Sequence, residues 1–181
     1  MIDNRQMQSK STRAIFLDID GVVTSVRSGW YNLDIYTVNF LRWLCKKANA
    51  KIVISSTWRY NHGYDFWKPI FEDYLHEDFK TPDLVEQRSS GLLIAKTRGT
   101  EIQAWLDKHT EVEKYLILDD DKDIMEHQLP NYIQTDSLDG MLSEHMMAAR
   151  TFWNIEDYPK DEKHLHQHEN MFGERKLNHT K

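Results

Sequence analysis

The sequence predicts an α/β fold, namely an open, mainly parallel, Rossmann-like sheet with helices on both faces. Three short apolar runs each end abruptly in polar or acidic residues, which is typical of strands that are buried on both faces. Segments with the apolar spacing of helices separate these runs. At 181 residues, the chain has the length of a single domain.

The three apolar runs lead into residues that can carry chemistry. The runs cover residues 14–17, 51–54 and 115–118. Asp18 and Asp20 follow the first run, Ser55 and Ser56 the second, and Asp119 and Asp120 the third. Because the carboxyl ends of parallel strands meet at one edge of a sheet, we expect these side chains to converge on one crevice.

The remaining elements are predicted from apolar spacing and turn residues. Predicted helices cover residues 37–48, 100–109 and 141–153, and a fourth strand covers 132–134. Thr100 and Gln103 have the spacing of a capping box, which predicts that the second helix begins near Thr100. Pro69 and Pro82 interrupt residues 60–90, so we expect only short helices and loops there.

Composition excludes several classes of protein. The formal net charge of -6 argues against a protein that coats nucleic acid by charge alone, since that mode needs a basic face. The single cysteine, Cys45, excludes an internal disulfide framework. The polar start carries no secretory signal, and an apolar run long enough to cross a membrane is lacking. We therefore expect a cytoplasmic protein with no membrane partner, whose oligomeric state the sequence leaves open.

Three regions are predicted along the chain. A polar N-terminal segment covers residues 1–12, one globular domain covers 13–158, and a polar tail covers 159–181. The tail carries His164, His166 and His168. Alternating histidines can bind a metal, but we interpret this segment as a solvated tail because it has no core pattern.

The pair formed by Asp18 and Asp20 indicates an enzyme. Like charges packed together raise each other's pKa, so a cation or a reaction normally accompanies such a pair. Gly21 follows and allows the backbone to turn sharply and approach a ligand. Asp119 and Asp120 add hard oxygen ligands of the kind that Mg²⁺ prefers. One acid of the pair can then attack while its neighbour transfers a proton.

These residues resemble the ordered motifs of the haloacid dehalogenase (HAD) phosphatases. Residues 18–24 look like the first motif, and Ser55 looks like the hydroxyl residue of the second. Lys96 is positioned like the lysine of the third motif, and Asp119 with Asp120 resembles the paired acids of the fourth. The likeness covers about residues 13–142, and the order of the four motifs makes it specific.

The resemblance implies a Mg²⁺-dependent phosphomonoester hydrolase that forms an aspartyl phosphate. It implies Asp18 as the nucleophile and Asp20 as the general acid and base. The implied Mg²⁺ ligands are Asp18, Asp20, Asp119 and Asp120. The implied phosphate-binding residues are Ser55 and Lys96, with Ser56 as the alternative hydroxyl and Arg98 as the alternative cation.

The short connections between the motifs predict a small HAD protein without a cap. An uncovered site suits a phosphate displayed on something large, because a small metabolite usually needs enclosure. The sequence is also similar to the HAD domains of nucleic-acid repair proteins, such as the polynucleotide kinase phosphatases. The expected partner is therefore a phosphorylated substrate such as a nucleic-acid 3′ end, with Arg27, Arg59 and Arg98 as expected substrate contacts.

Three other functions remain open at the level of sequence. The first is a phosphatase for nucleotides or other small molecules, with the aromatic segment around Trp67, Phe71 and Tyr74 as a partial lid. The second is a receiver-like signalling module, which the acid pair on the first strand disfavours. The third is an inactive HAD-like binding domain, but all the acids of the motifs are present, so the sequence gives no reason to prefer it.

Overall fold

A computed structural model describes residues 12–87 and 93–156, and these residues contain seven short strands. In chain order these are β1 (Arg13–Leu17), β2 (Lys51–Ile54), β3 (Leu75–Lys80), β4 (Val85–Gln87), β5 (Leu93–Ala95), β6 (Lys114–Asp119) and β7 (Tyr132–Gln134). Five of them form one parallel sheet in the order β3-β2-β1-β6-β7, while β4 and β5 pair antiparallel. This arrangement confirms the predicted open α/β sheet.

Four α-helices connect or follow the strands. They are α1 (Ile35–Ala48), α2 (Tyr64–Phe71), α3 (Arg98–Lys108) and α4 (Ser143–Phe152). Short 3-10 turns cover Thr57–Tyr60, Glu72–Tyr74 and Glu126–Asn131. The helix predicted over residues 37–48 is confirmed, and Asp34 caps it by accepting a hydrogen bond from the Tyr36 amide.

The core lies on both faces of the sheet because the central strand β1 alternates its side chains. Ile15 and Leu17 pack in the larger cluster, which also receives buried residues of α1, α2 and α4. Phe16 points to the other face, where it meets Ile102 and Trp105 of α3. The rings of Phe16 and Trp105 cross edge to face at 5.3 Å. The prediction of helices on both faces is thereby confirmed.

Two local predictions need correction. Strand β3 lies in the region where only short helices and loops were expected. The sequence does not predict this strand because only Leu75 and His76 are buried, and its remaining residues are exposed or half-buried. An edge strand needs one buried face at most, so its pattern is weak. Helix α3 begins at Arg98 rather than Thr100, because Thr97 is its cap and accepts from the Thr100 amide.

The expected lid residues belong to the core. Trp67 and Phe71 are both fully buried in the larger cluster, so they cannot close over a ligand. In the described chain, the connections after β1 and β2 consist of the loop 18–34, the helices α1 and α2, strand β3 and the β4–β5 hairpin. None of the helices in the described ranges combines the length and apolar character needed to cross a membrane. The predicted tail over 159–181 and nearly all of segment 1–12 lie outside the described residues.

Candidate active site

Three acids meet at the carboxyl edge of the sheet. Strands β1 and β6 pair in parallel with Leu17 beside Leu118, so the residues that follow them, Asp18 and Asp119, emerge side by side. Carboxylate oxygens of Asp18, Asp119 and Asp120 all lie within 4.8 Å of one another. The expected convergence of the strand ends is therefore observed for β1 and β6.

One guanidinium serves two of these acids. Arg98 opens helix α3, and its Nη2 lies 3.4 Å from Asp18 Oδ1 while its Nε lies 3.3 Å from Asp119 Oδ2. Burial raises the pKa of Asp18, whereas Arg98 and a hydrogen bond with Ser56 lower it. Burial and the neighbouring Asp18 raise the pKa of Asp119 to about 8, against the opposing effect of Arg98. The site therefore holds more negative charge than its own arginine can balance.

Gly21, in the loop after β1, packs directly against Asp120, which follows β6. Gly21 has φ +72°, and a Cβ there would lie 2.3 Å from Asp120 Oδ2, so the position requires glycine twice over. Burial raises the pKa of Asp120 to about 6, and Asp18 adds to this effect. Thr135 Oγ1 donates to the Gly21 carbonyl at 2.6 Å, which ties the end of β7 to the same loop.

Asp20 is held separately from this network. Thr24 Oγ1 donates to its Oδ1 at 2.9 Å, and the indole Nε1 of Trp58 donates to its Oδ2 at 2.9 Å. Both oxygens are thus oriented by neutral donors. Such a carboxyl group has a fixed direction, as a proton donor to a bound substrate needs.

The two serines after β2 have different environments. The Ser55 amide donates to the Leu17 carbonyl at 3.0 Å, which continues the pairing of β1 and β2. Ser56 forms the hydrogen bond with Asp18 and also accepts from the Trp58 amide at 3.4 Å. Ser55 Oγ is buried without a hydrogen-bond partner in the described chain. Ser56 is therefore the hydroxyl in contact with Asp18, although Ser55 directly follows the strand.

Comparison with known families agrees with this geometry. The family model of the HAD domain in Swiss Army Knife RNA repair proteins matches residues 14–146. The chain belongs to this HAD family. The predicted resemblance is confirmed over nearly the same range. Neither a curated protein nor a solved structure gives a significant match.

In this HAD domain Arg98 contacts two of the acids, and the role predicted for Lys96 stays a prediction. Lys96 is exposed and precedes the helix, whereas Arg98 occupies its first turn. The Arg98 amide donates to Asp123 Oδ2 at 3.0 Å, and a Cβ on Gly99 would lie 2.5 Å from the Met125 amide nitrogen. The start of α3 is thereby packed tightly against the loop that follows β6. This close packing aims Arg98 at both carboxylates.

Arg59 makes the contacts of a structural residue, and its predicted contact with substrate stays a prediction. Its side chain is 3% exposed and pairs with Glu101 at 2.7 Å, whose side chain is 6% exposed. Nη1 donates to the carbonyls of Ser55 and Ser56, both at 2.9 Å. Arg59 therefore connects the turn after β2 to helix α3.

Arg27 braces the loop that follows the first motif. Its Nη2 donates to the Asp139 carbonyl at 2.9 Å, and its amide donates to the Leu138 carbonyl. The side chain is exposed, and these contacts join the loop 18–34 to the turn around Gly140. A role of Arg27 in substrate binding stays a prediction.

Trp58 contacts an acid of the candidate site, although the sequence predicts only a packing role for it. Its ring does pack against Trp67, with centroids 6.3 Å apart, but its indole N–H is directed to Asp20. The available signal was its place three residues after Ser55, which follows a strand end. Tryptophan most often packs in a core, and a hydrogen bond to a distant carboxylate leaves no periodic pattern in the sequence. The sequence therefore favours a packing role.

We expect Arg59→Ala to destabilise the fold by about 3–5 kcal/mol, because it leaves the Glu101 carboxylate buried without its partner. Urea unfolding measures the effect. The matched control is Arg42→Ala, whose partner Glu72 is 54% exposed, and this change should cost less than about 1 kcal/mol. An Arg59→Ala protein of normal stability with a raised KM would instead support substrate contact.

We expect metal-free protein to lose stability as the pH rises from about 5 to 8. The pKa of Asp119 is about 8 when folded and near its ordinary value of 3.8 when unfolded, so this group alone lets the folded state bind up to one more proton in this window. Through this group the free energy of unfolding falls by up to about 1.4 kcal/mol per pH unit. Asp119→Asn should reduce this slope in urea unfolding with a chelator present, while the raised pKa values of Asp18 and Asp120 keep part of it. Asp107→Asn, an exposed acid on α3, should keep it, and an unchanged slope in Asp119→Asn would refute the assignment.

Proposed function

We propose that the chain is a Mg²⁺-dependent phosphatase that removes a phosphate from a nucleic-acid 3′ end through an aspartyl phosphate on Asp18. The observation that carries the proposal is the separation of two aspartates. Asp18 lies in a buried network of acids with Arg98, while Asp20 lies outside it and is oriented by Thr24 and Trp58. Two carboxyl groups in different environments can take different roles in one reaction.

The proposed chemistry has two steps. An oxygen of Asp18 attacks phosphorus, the bond from phosphorus to the leaving oxygen breaks, and Asp20 gives that oxygen its proton. Asp20 then takes a proton from water, whose oxygen attacks phosphorus and releases Asp18. Arg98 and the Ser56 hydroxyl lie beside Asp18 and can donate to the phosphoryl oxygens as negative charge spreads over them.

The donor set fits Mg²⁺. Asp18, Asp119 and Asp120 offer hard carboxylate oxygens within 4.8 Å of one another. Asp119 Oδ2 is buried and has no hydrogen bond in the described chain, although Arg98 Nε lies 3.3 Å away. A bound divalent cation would neutralise part of the charge on the attacking and transferred groups. The Asp20 carboxylate is not part of this cluster, so any role of Asp20 as a ligand would fall to its backbone carbonyl.

Arg98 has a further donor that suits a phosphate. Its Nη1 is buried without a hydrogen-bond partner in the described chain, as is the Ser55 hydroxyl. An unsatisfied buried polar group costs roughly 1–3 kcal/mol, so such groups normally have a purpose. Phosphoryl oxygens accept hydrogen bonds, and they would satisfy the Arg98 donor beside Asp18. The predicted choice between Ser55 and Ser56 therefore becomes a proposal in which both hydroxyls serve the phosphate.

Family membership and the burial of two expected lid residues support a polynucleotide substrate. The matched family is the HAD domain of RNA repair proteins. The residues proposed as a lid for small substrates, Trp67 and Phe71, are buried in the core. The likeness to polynucleotide kinase phosphatases favours the 3′ end of the strand. Together these observations favour a large substrate over an enclosed metabolite.

We expect Asp18→Asn to lower Mg²⁺-dependent hydrolysis of p-nitrophenyl phosphate by at least about a thousandfold, because the amide is a far weaker nucleophile. Asp20→Asn should lower turnover by roughly a hundred- to ten-thousandfold, since it removes proton transfer alone. Release of phosphate measures both changes, and Asp107→Asn is the control with the same chemical change at an exposed position. Wild-type turnover by Asp18→Asn would disprove the nucleophile.

We expect kcat/KM for a 3′-phosphorylated oligonucleotide to exceed that for the matching 3′-mononucleotide by at least about tenfold, because the larger leaving group makes more contacts. Phosphate release in the presence of Mg²⁺ measures this ratio, with a 5′-phosphorylated oligonucleotide and a phosphopeptide as comparisons. Hydrolysis of mononucleotides with none of the 3′-phosphorylated oligonucleotide would contradict the substrate assignment while leaving the phosphatase chemistry intact.

A further inference from the structure

An open groove of about 510 Å³ begins at Asp20 and runs between the loop after β1 and the turn after β2. Aromatic rings form most of its lining, namely Trp30, Tyr31, Trp58, Tyr60 and His62. The volume lies within the range of roughly 300–1,000 Å³ that is usual for small ligands. The groove is therefore large enough for a nucleoside.

One wall of the groove is rigid. Trp58 is held by its hydrogen bond to Asp20, and its ring lies 5.2 Å from His62, which in turn stacks on Phe66 at 4.0 Å. Arg59 covers one face of Tyr60 at 4.5 Å, and the Tyr60 hydroxyl donates to Asp83. Fixed rings lose little entropy when a planar group stacks on them.

The opposite wall exposes aromatic rings that the fold does not use. Tyr31 is 88% exposed and Trp30 is 43% exposed. Trp30 also has φ +26°, a conformation that side chains other than glycine rarely adopt. Strain of this kind is found at binding and catalytic sites, where function retains it. Large apolar rings held in water beside a proton donor indicate a surface for a ligand.

The position of Asp20 identifies which part of the substrate enters the groove. As the proposed proton donor, Asp20 must touch the leaving oxygen, so the group attached to that oxygen extends from it. Since Asp20 lines the groove, the leaving group is its occupant. This step rests on the proposed function.

The charge of the groove selects an uncharged, flat group. Among the described residues that line it, none is lysine or arginine, and Asp20 adds a carboxyl group. Backbone phosphates would therefore gain nothing inside the groove, whereas nucleobases stack on aromatic rings without needing a charge. We propose that the groove stacks the base of the last nucleotide of a single-stranded polynucleotide whose 3′ phosphate lies at Asp18.

The test compares two 3′-phosphorylated oligonucleotides that differ only in whether the last nucleotide carries a base. The wild-type protein should show about a tenfold higher kcat/KM for the base-bearing end, the scale expected for one stacked base. Tyr31→Ala and Trp30→Ala should each reduce this preference several-fold. Tyr36→Ala, which removes a 69% exposed tyrosine outside the groove, should retain the wild-type preference. Because the preference is a ratio within one protein, partial loss of folded enzyme cancels.

A binding measurement separates this inference from the proposed function. The protein is titrated, with a chelator present, with versions of the same oligonucleotides that carry a 3′ hydroxyl in place of the phosphate. Quenching of tryptophan fluorescence reports binding, so no turnover is needed. The wild-type protein should bind the abasic end more weakly than the base-bearing end. If this difference in affinity disappears in Tyr31→Ala but remains in Tyr36→Ala, it supports the groove even if phosphate is never released. Equal binding and equal turnover of both ends by the wild-type protein would overturn it, as would Tyr31-dependent hydrolysis of a phosphopeptide in preference to either oligonucleotide.

Discussion

The sharing of one guanidinium by two buried carboxylates is the interaction on which this protein depends. Asp18 and Asp119 leave adjacent strands, and Arg98 lies between them at 3.4 and 3.3 Å. One arginine cannot balance two acids and the nearby Asp120, so burial raises the pKa values of all three. The arrangement lowers the stability of the metal-free fold, and the same excess of negative charge makes the site attractive to a divalent cation.

The rest of the fold holds that charge in one place. Glycine at position 21 lets the first loop pass against Asp120, and glycine at position 99 lets α3 begin directly on the loop after β6. The buried pair of Arg59 and Glu101 fastens the serine turn to the same helix. A buried ion pair adds little net stability, but losing one partner is severe, so the pair fixes position more than it adds free energy.

The sequence predicts those parts of the site that follow buried strands, since an apolar run ending in acids has a clear pattern. Asp18, Asp119 and the predicted sheet follow from this rule alone. The choice between Lys96 and Arg98 depends on the residue at which α3 begins, and both Thr97 and Thr100 are good caps, so composition cannot decide it. Trp58 could not be predicted because a hydrogen bond to Asp20, 38 residues away, leaves no local periodicity.

The proposed proton donor and the proposed stacking groove are joined through one side chain. Trp58 donates to Asp20 with its indole N–H and lines the groove with the same ring system. A leaving nucleotide that stacks in the groove would lie against this fixed ring, which would hold its leaving oxygen beside Asp20, the proposed proton donor. A small phosphate ester lacks these contacts, so its leaving oxygen would be placed less precisely and the proton transfer would be less well directed. Binding of the leaving group would then raise kcat as well as lower KM, because its contacts position the reacting atoms.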